Sequence, residues 1–234
     1  MHSYKGKILI ADDEQEIRDI LELLLVGEGY EVVVAKNGGE AVKLADESID
    51  LFILDVNMPE KSGFVVASEL RKKYLVPLLF LTAYLGESDK TLGYSVGADD
   101  YITKPFSNSE LLLKVKAFLR RSKQYQTQVV GSKENEKNHC LSFFDLTVDL
   151  DKQMVLKDKE TIRLTHTEFK ILELLLTNRK KIFSIENIYR SVWQDHFVAD
   201  SAVMVHIKNL RKKLGQDTNM QYIKTAWGKG YYIE

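Results

Sequence analysis

The feature that most constrains this chain is a repeated alternation in its first half. Short apolar, β-branched runs at 7–11, 30–35, 49–54, 77–81 and 99–102 alternate with stretches of helical periodicity near 14–27, 38–47, 62–73, 87–96 and 107–121. Five β/α repeats of this kind imply an α/β unit, a doubly wound five-stranded parallel sheet with helices on both faces.

The 234 residues exceed what one such unit needs, so a second compact unit is expected, each large enough to bury its own core. A hydrophobic fraction of 44% and a charged fraction of 29% are globular values and exclude a disordered or fibrous chain. The net charge of −1 conceals an asymmetry between the halves. Residues 1–121 carry 15 Lys/Arg against 20 Asp/Glu (−5), and residues 122–234 carry 18 against 14 (+4). The basic half is compatible with a polyanion partner, a weak signal by itself. The lone cysteine, Cys140, cannot form an intramolecular disulfide, and no apolar run reaches the length of a membrane span. Lys5 and Lys7 precede an apolar run that stops at Asp12, too short for a signal peptide, so a cytoplasmic location is expected.

After Arg121 the pattern changes. Residues 122–140 are polar, rich in Gln, Lys, Glu and Asn, and read as a flexible linker between a first domain at 1–121 and a second at 141–234. Strand-like segments follow around 141–150, 153–157 and 161–164, then helices near 166–178, 185–193 and 200–214. A closing hairpin is built from Tyr222, Ile223, Trp227, Tyr231, Tyr232 and Ile233 around Gly228 and Gly230.

Where the apolar runs of the first half stop, the chain places polar residues. Asp12 and Asp13 follow the first run, Asp55 the third and Thr82 the fourth, and Lys104 comes just after the fifth. Ligands of an open parallel α/β sheet bind at the C-terminal ends of its strands, so these carboxylates, hydroxyl and ammonium are expected to converge on one edge. Clustered carboxylates repel and raise one another's pKa, and their retention as anions makes sense around a hard divalent cation such as Mg²⁺. A carboxylate at the centre can act as nucleophile in phosphoryl transfer while the metal and a lysine stabilise the equatorial oxygens; Asp55 is the central candidate. Any one strand-terminal acid reads as readily as a helix N-cap or a solvated turn residue, but the complete set argues against that.

These residues lie within longer motifs. Ile10-Ala11-Asp12-Asp13-Glu14, Asp55-Val56-Asn57-Met58-Pro59 through Gly63, Leu81-Thr82-Ala83 and Gly97-Ala98-Asp99-Asp100-Tyr101-Ile102-Thr103-Lys104-Pro105-Phe106 resemble the receiver domains of two-component signalling, over the whole of residues 5–121. The resemblance implies a flavodoxin-like fold with Asp55 as phosphoacceptor. It implies that Asp13, Asp55 and the backbone carbonyl of Asn57 hold Mg²⁺ directly, with Asp12 acting largely through water. Lys104 would pair with the phosphoryl group, Thr82 would hydrogen-bond it, and Tyr101 would swing inward as the Thr82 hydroxyl moves. The Lys104–Pro105 bond would be cis. Without the resemblance, Tyr101 reads as a half-buried strand aromatic.

The fourth helix, fifth strand and fifth helix carry Lys90, Asp99, Asp100, Glu110, Lys114, Arg120 and Arg121, opposite charges that a two-fold axis could pair between subunits. The OmpR/PhoB subfamily is similar and dimerises through that face when phosphorylated; read structurally, the same mixture is a solvated surface. Val96 stands where an acidic residue is common in the subfamily, so one expected ion pair is missing.

In the second half, Thr165 opens a helix carrying Phe169, Ile171, Leu172, Leu174, Leu175 and Leu176, and Ser184 can cap the next, which contains Ile188, Val192 and Trp193. A third helix turns Val203, Ile207, Leu210 and Leu214 to a core and carries Lys208, Arg211 and Lys212. This is a helix-turn-helix pattern with a terminal hairpin as wing, or else a small α/β core with a cationic surface helix. Leu164-Thr165 with Glu168, Val203-Met204-Val205-His206-Ile207 with Leu210-Arg211-Lys212-Lys213-Leu214, and Ile223-Lys224-Thr225 with Gly228-Lys229-Gly230-Tyr231 resemble the OmpR/PhoB winged-helix effector over 141–234, closest to its Gram-positive VanR-type branch. The resemblance implies an α+β winged helix-turn-helix in which His206, Lys208, Asn209 and Arg211 face bases or phosphates. Lys212 would touch the DNA backbone, and Thr225 with Lys229 would anchor the wing. Ser201 and Met204 replace an Arg and an Asp common in the family, and Trp227 replaces the wing Arg, so base preference does not transfer. The loop 194–199 would face RNA polymerase, or is simply a connector.

Together these readings describe a transcriptional response regulator. The resemblance implies that a sensor histidine kinase would phosphorylate it on Asp55, that it would then dimerise on promoter DNA, and that it would not itself be an enzyme. A haloacid-dehalogenase-like phosphatase would need an Asp at position 57, which is Asn. A regulator that keeps its first domain only for dimerisation has no need of the Asp12, Asp13, Asp55, Thr82, Lys104 set.

Overall fold

The computed structural model describes residues 5–83, 86–127, 140–193 and 200–234. The chain divides into two compact units, Met1–Ser122 and Lys123–Glu234.

In the first unit the parallel strands β1 (Lys7–Ala11), β2 (Glu31–Ala35), β3 (Leu51–Asp55), β4 (Leu78–Thr82) and β5 (Asp100–Thr103) lie in the order β2-β1-β3-β4-β5. They alternate with α1 (Gln15–Gly27), α2 (Gly38–Leu44), α3 (Gly63–Leu70), α4 (Glu87–Ser95) and α5 (Asn108–Thr127). Every residue of β3 and β4 is buried, which is why both segments read as unbroken apolar runs. Ile8, Ile10, Leu51, Ile53, Leu79 and Leu81, each two residues from a partner on the same strand, form one core with Leu21 and Leu25 of α1 and Leu111, Val115 and Phe118 of α5. On the other face Phe80 meets Phe64 of α3 edge-on at 5.2 Å. The strand order reverses between β1 and β3, which opens a crevice at their C-terminal ends. Asp55 and Thr82 are the last residues of β3 and β4, one place beyond the apolar runs, because Asp55 pairs with Leu81 and Thr82 with Thr103.

Helix α5 continues to Thr127, so part of the segment read as linker is helical. Lys and Gln are good helix formers and need no buried face to extend a helix already nucleated. No described helix is long and apolar enough to cross a membrane.

In the second unit β6 (Cys140–Phe143), β7 (Leu146–Asp149), β8 (Met154–Lys157) and β9 (Glu160–Ile162) form an antiparallel sheet in sequence order. The single strand expected over 141–150 is a hairpin. Its turn passes through Phe144 at φ 52, an apolar residue in a left-handed conformation that gives no turn signal in the sequence. Helices α6 (His166–Thr177), α7 (Ile185–Trp193) and α8 (Asp200–Leu214) follow, then the hairpin β10 (Lys224–Ala226) and β11 (Gly230–Tyr232). Thr165 and Glu168 form a reciprocal capping box at the start of α6. Phe183 exchanges backbone hydrogen bonds with Tyr231, each 2.9 Å, and fixes the hairpin to the segment before α7. Gly230 is required there: its φ is +132, and a Cβ would lie 1.9 Å from the Phe183 carbonyl oxygen.

Asp99, expected at a dimer surface, is instead an internal strut. It is fully buried, pairs with Arg71 Nη2 at 2.7 Å and accepts from the Leu78 amide at 2.9 Å. Arg71 also donates to the carbonyls of Gly97 at 2.9 Å and Val76 at 2.5 Å, so one guanidinium joins the end of α3 to the turns that lead into β4 and β5. Replacing Arg71 by Met leaves Asp99 buried without that cation and should cost roughly 3–5 kcal/mol. Hydrogen exchange at the β4 amides checks this; unchanged protection would contradict it.

Candidate functional site

The crevice at the ends of β1, β3 and β5 gathers the expected residues. Asp12, Asp13 and Asp55 each present a carboxylate oxygen, all within 4.8 Å of one another, with Asp12 and Asp55 buried and Asp13 exposed. Lys104 Nζ stands 2.8 Å from Asp12 Oδ2, 3.0 Å from Glu14 Oε1 and 3.1 Å from Asp55 Oδ1. The other oxygens are oriented by backbone: the Glu14 amide donates to Asp12 Oδ1 at 3.0 Å and the Asn57 amide to Asp55 Oδ2 at 2.9 Å. Thr82 is fully buried at the end of β4. The Lys104–Pro105 peptide is cis. Glu14 was not expected here; its place at the end of the Asp-Asp-Glu run was the available signal.

Tyr101 is turned inward and almost completely buried, packed on Phe80 at 5.4 Å and on Tyr94 at 4.9 Å. Its hydroxyl fills the space over Gly93, where a Cβ would lie 1.3 Å away.

Burial pushes the Asp12 and Asp55 carboxyls above the usual carboxylate value; Lys104 opposes the rise, while Asp55 adds to that of Asp12 and Asp13 to that of Asp55. Burial alone would lower the Lys104 pKa, but its hydrogen bonds to Asp12 and Glu14 and the charges of Asp12 and Asp55 outweigh that and raise it. A site of carboxylate oxygens without His or Cys, at the end of a parallel sheet, fits a hard divalent cation.

The dimer-face residues separate into distinct environments. Asp100 is buried and forms a short ion pair with Lys114 of its own unit. Glu110 is exposed in the first turn of α5. Lys90 lies on α4 and Arg120 and Arg121 on α5, with side chains outside the described residues.

On α8 the expected DNA-facing set divides. Met204, Lys208 and Lys212, four residues apart, are exposed along one stripe, and Asn209 is half-buried beside it. His206 does not face outward: it is fully buried, 5.7 Å from the Trp193 ring. It stands three residues after Val203 and four before Leu210, so helical geometry puts it on the buried stripe, a signal present in the sequence. Arg211 is half-buried and its guanidinium is engaged within the domain. Its Nη2 donates to the Ile223 carbonyl at 3.0 Å and to Thr225 Oγ1 at 2.7 Å, and its guanidinium lies 5.4 Å from the Tyr231 ring centre. It therefore joins helix to wing. Thr225 is half-buried, and Lys229 is exposed at the turn. The loop 194–199 lies outside the described residues.

The raised Asp55 pKa carries a stability consequence. A carboxyl whose folded pKa exceeds its unfolded value favours the fold while protonated, and that contribution is lost as pH rises through the folded value. Asp55→Asn should therefore raise the melting temperature of the protein in chelator at neutral pH, and the gain should shrink as pH falls toward the ordinary value of 3.8. A gain independent of pH would contradict the electrostatic cause.

Residues 8–116 match the family model of the response regulator receiver domain, and residues 158–233 that of the C-terminal domain of transcriptional regulatory proteins. The chain is 45% identical over 228 residues to the uncharacterized transcriptional regulatory protein YrkP of Bacillus subtilis (strain 168), covering 96% of each. It is 40% identical over 232 residues to the regulatory protein VanR of Enterococcus faecium, covering 97% of this chain and 98% of VanR. Among solved structures, a RitR mutant superposes with a TM-score of 0.77 at 25% identity over 98% of this chain and 99% of the other. DrrB of Thermotoga maritima, an OmpR/PhoB homolog, superposes with a TM-score of 0.50 at 30% identity over 97% and 98%. With an acidic crevice on a doubly wound sheet in one unit and a winged helix in the other, the chain belongs to the two-component response regulators of the OmpR/PhoB type, a family of transcriptional regulators and not of enzymes.

Proposed function

We propose that a sensor histidine kinase phosphorylates this regulator on Asp55, and that the phosphorylated form dimerises and binds promoter DNA. The observation that carries the reading is the convergence of Asp12, Asp13, Asp55 and Lys104 at the ends of three strands. A carboxylate oxygen of Asp55 attacks the phosphorus of a phosphohistidine. The O–P bond forms, the P–N bond breaks, and the electron pair stays with the imidazole. Asp13, Asp55 and the Asn57 carbonyl would hold Mg²⁺, with Asp12 acting largely through water, and the cation would neutralise charge on the phosphoryl oxygens. Lys104 moves from Asp12 and Glu14 to the phosphoryl group, Thr82 donates a hydrogen bond to it, and Tyr101 is kept inward by that shift.

The face made by α4, β5 and α5 is the dimer surface. Asp100 and Lys114 exchange a partner within the subunit for one across the two-fold axis, and Lys90, Glu110 and Arg121 add to the pairing. Lys208, Asn209 and Lys212 on α8 meet bases and phosphates in the major groove, and Thr225 and Lys229 anchor the wing. The loop 194–199 faces RNA polymerase. The setting is cytoplasmic, where promoter and kinase domain are both reached.

Incubation with acetyl phosphate should add one phosphoryl group by intact-protein mass spectrometry. The addition should need Mg²⁺, vanish in Asp55→Asn and slow in Lys104→Ala. Modification of Asp55→Asn at the wild-type rate would overturn the assignment.

A further inference from the structure

An ammonium has three N–H groups, and three carboxylate oxygens stand within 3.1 Å of Lys104 Nζ, so a phosphoryl oxygen can meet it only by displacing one of them. The three are not equivalent. Asp12 and Asp55 are buried, and a backbone amide holds the second oxygen of each. Glu14 has 62% of its side chain exposed, and it is not one of the carboxylates gathered at the cation position. It is the N-cap residue of α1, yet its side chain makes no capping bond, and glutamate is not a residue that N-caps favour. The carboxylate instead accepts from Lys104 Nζ at 3.0 Å, across 90 positions of sequence. Its backbone is fixed for that reach: the Glu14 amide donates to Asp12 Oδ1 at 3.0 Å, the Arg18 amide to the Glu14 carbonyl at 3.2 Å, and Arg18 Nη1 to the Asp12 carbonyl at 2.8 Å. A residue placed neither to ligate nor to cap is thus held against the ammonium of the crevice.

We infer that Glu14 is a positioning residue that holds Lys104 in its unphosphorylated place and so restrains phosphorylation of Asp55. The inference rests on the proposed phosphoacceptor role of Asp55. An interaction made in only one of two states shifts the balance toward that state by its own strength. The Glu14–Lys104 bond exists while Nζ faces Asp12 and Glu14. It is lost when Nζ turns to the phosphoryl group, where the Glu14 charge also repels the added anion. Both effects disfavour the phosphoryl adduct. Toward a divalent cation the same charge acts in the opposite sense, attracting it to the crevice without coordinating it. Glu14 therefore sets how readily the site is switched on, not whether it can be.

The test measures two affinities of the full-length protein by titration calorimetry: for Mg²⁺ alone, and for beryllofluoride, a phosphoryl mimic, at saturating Mg²⁺. Glu14→Gln should bind beryllofluoride more tightly than wild type by roughly two- to fivefold, the strength of a largely solvated ion pair. It should bind Mg²⁺ more weakly, by about the same factor at low salt. Glu14→Asp keeps the charge but falls short of Nζ, so it should bind Mg²⁺ like wild type and beryllofluoride more tightly than wild type, though less so than Glu14→Gln. A residue that merely shaped the loop would weaken both affinities when replaced. Beryllofluoride affinity of Glu14→Gln equal to or below that of wild type would overturn the inference. So would a Glu14→Asp variant matching wild type toward beryllofluoride, which would assign the effect to charge without the bond. Failure of wild type to bind beryllofluoride, or equal binding by Asp55→Asn, would overturn the phosphoacceptor role itself, and the inference with it.

Discussion

The ammonium of Lys104 among Asp12, Glu14 and Asp55 is the interaction on which the first unit turns. The parallel sheet brings buried carboxylates to the ends of β1 and β3, and carboxylates so placed destabilise one another. Lys104, delivered from the end of β5, offsets part of that repulsion, yet Asp12 and Asp55 remain above the usual carboxylate range. The pocket is left with more negative charge than one lysine neutralises, which suits a site for a hard cation and a nucleophile for phosphoryl transfer. The same lysine directly follows β5, which contributes Tyr101 to a buried aromatic cluster with Phe80 of β4 and Tyr94 of α4, so in the proposed account a change of partner at Nζ is felt by that cluster.

That cluster gives the receiver its two-state element in the proposed account. Tyr101 occupies a slot over Gly93 with no room for a larger residue beneath its hydroxyl. A modification that holds Thr82 and Lys104 in one arrangement favours one packing of β5 and α4, and a ligand shifts such an equilibrium only by its difference in affinity for the two states. In the second unit rigidity serves instead. Arg211, Gln216 and the Phe183–Tyr231 pair hold the wing to the helical core, and His206 fills the core beside Trp193. Two such units brought together by a dimeric receiver gain affinity through effective concentration without any new contact to DNA.

The crevice was legible in the sequence because its residues end apolar runs, and a parallel sheet places strand ends together whatever the helices do. The roles of individual α8 residues were less so. His206 and Arg211 were expected to face DNA by position within a motif, but the first sits on the buried stripe set by Val203 and Leu210, and the second finds acceptors in the wing, a contact across a dozen residues that periodicity does not encode. Asp99 looked like a surface charge beside Asp100; only the approach of Arg71, distant in sequence, makes it internal. The Phe144 turn escaped notice because its residue types carry none of the usual glycine or asparagine signals.

The central claim is that phosphorylation at Asp55 drives assembly. Light scattering on the eluting full-length protein, with and without Mg²⁺ and beryllofluoride, for wild type and Asp55→Ala, tests it most directly. The account predicts a shift from monomer to dimer in wild type that needs both additions and is absent in the mutant. An unchanged mass in wild type, or the same shift in Asp55→Ala, would contradict it.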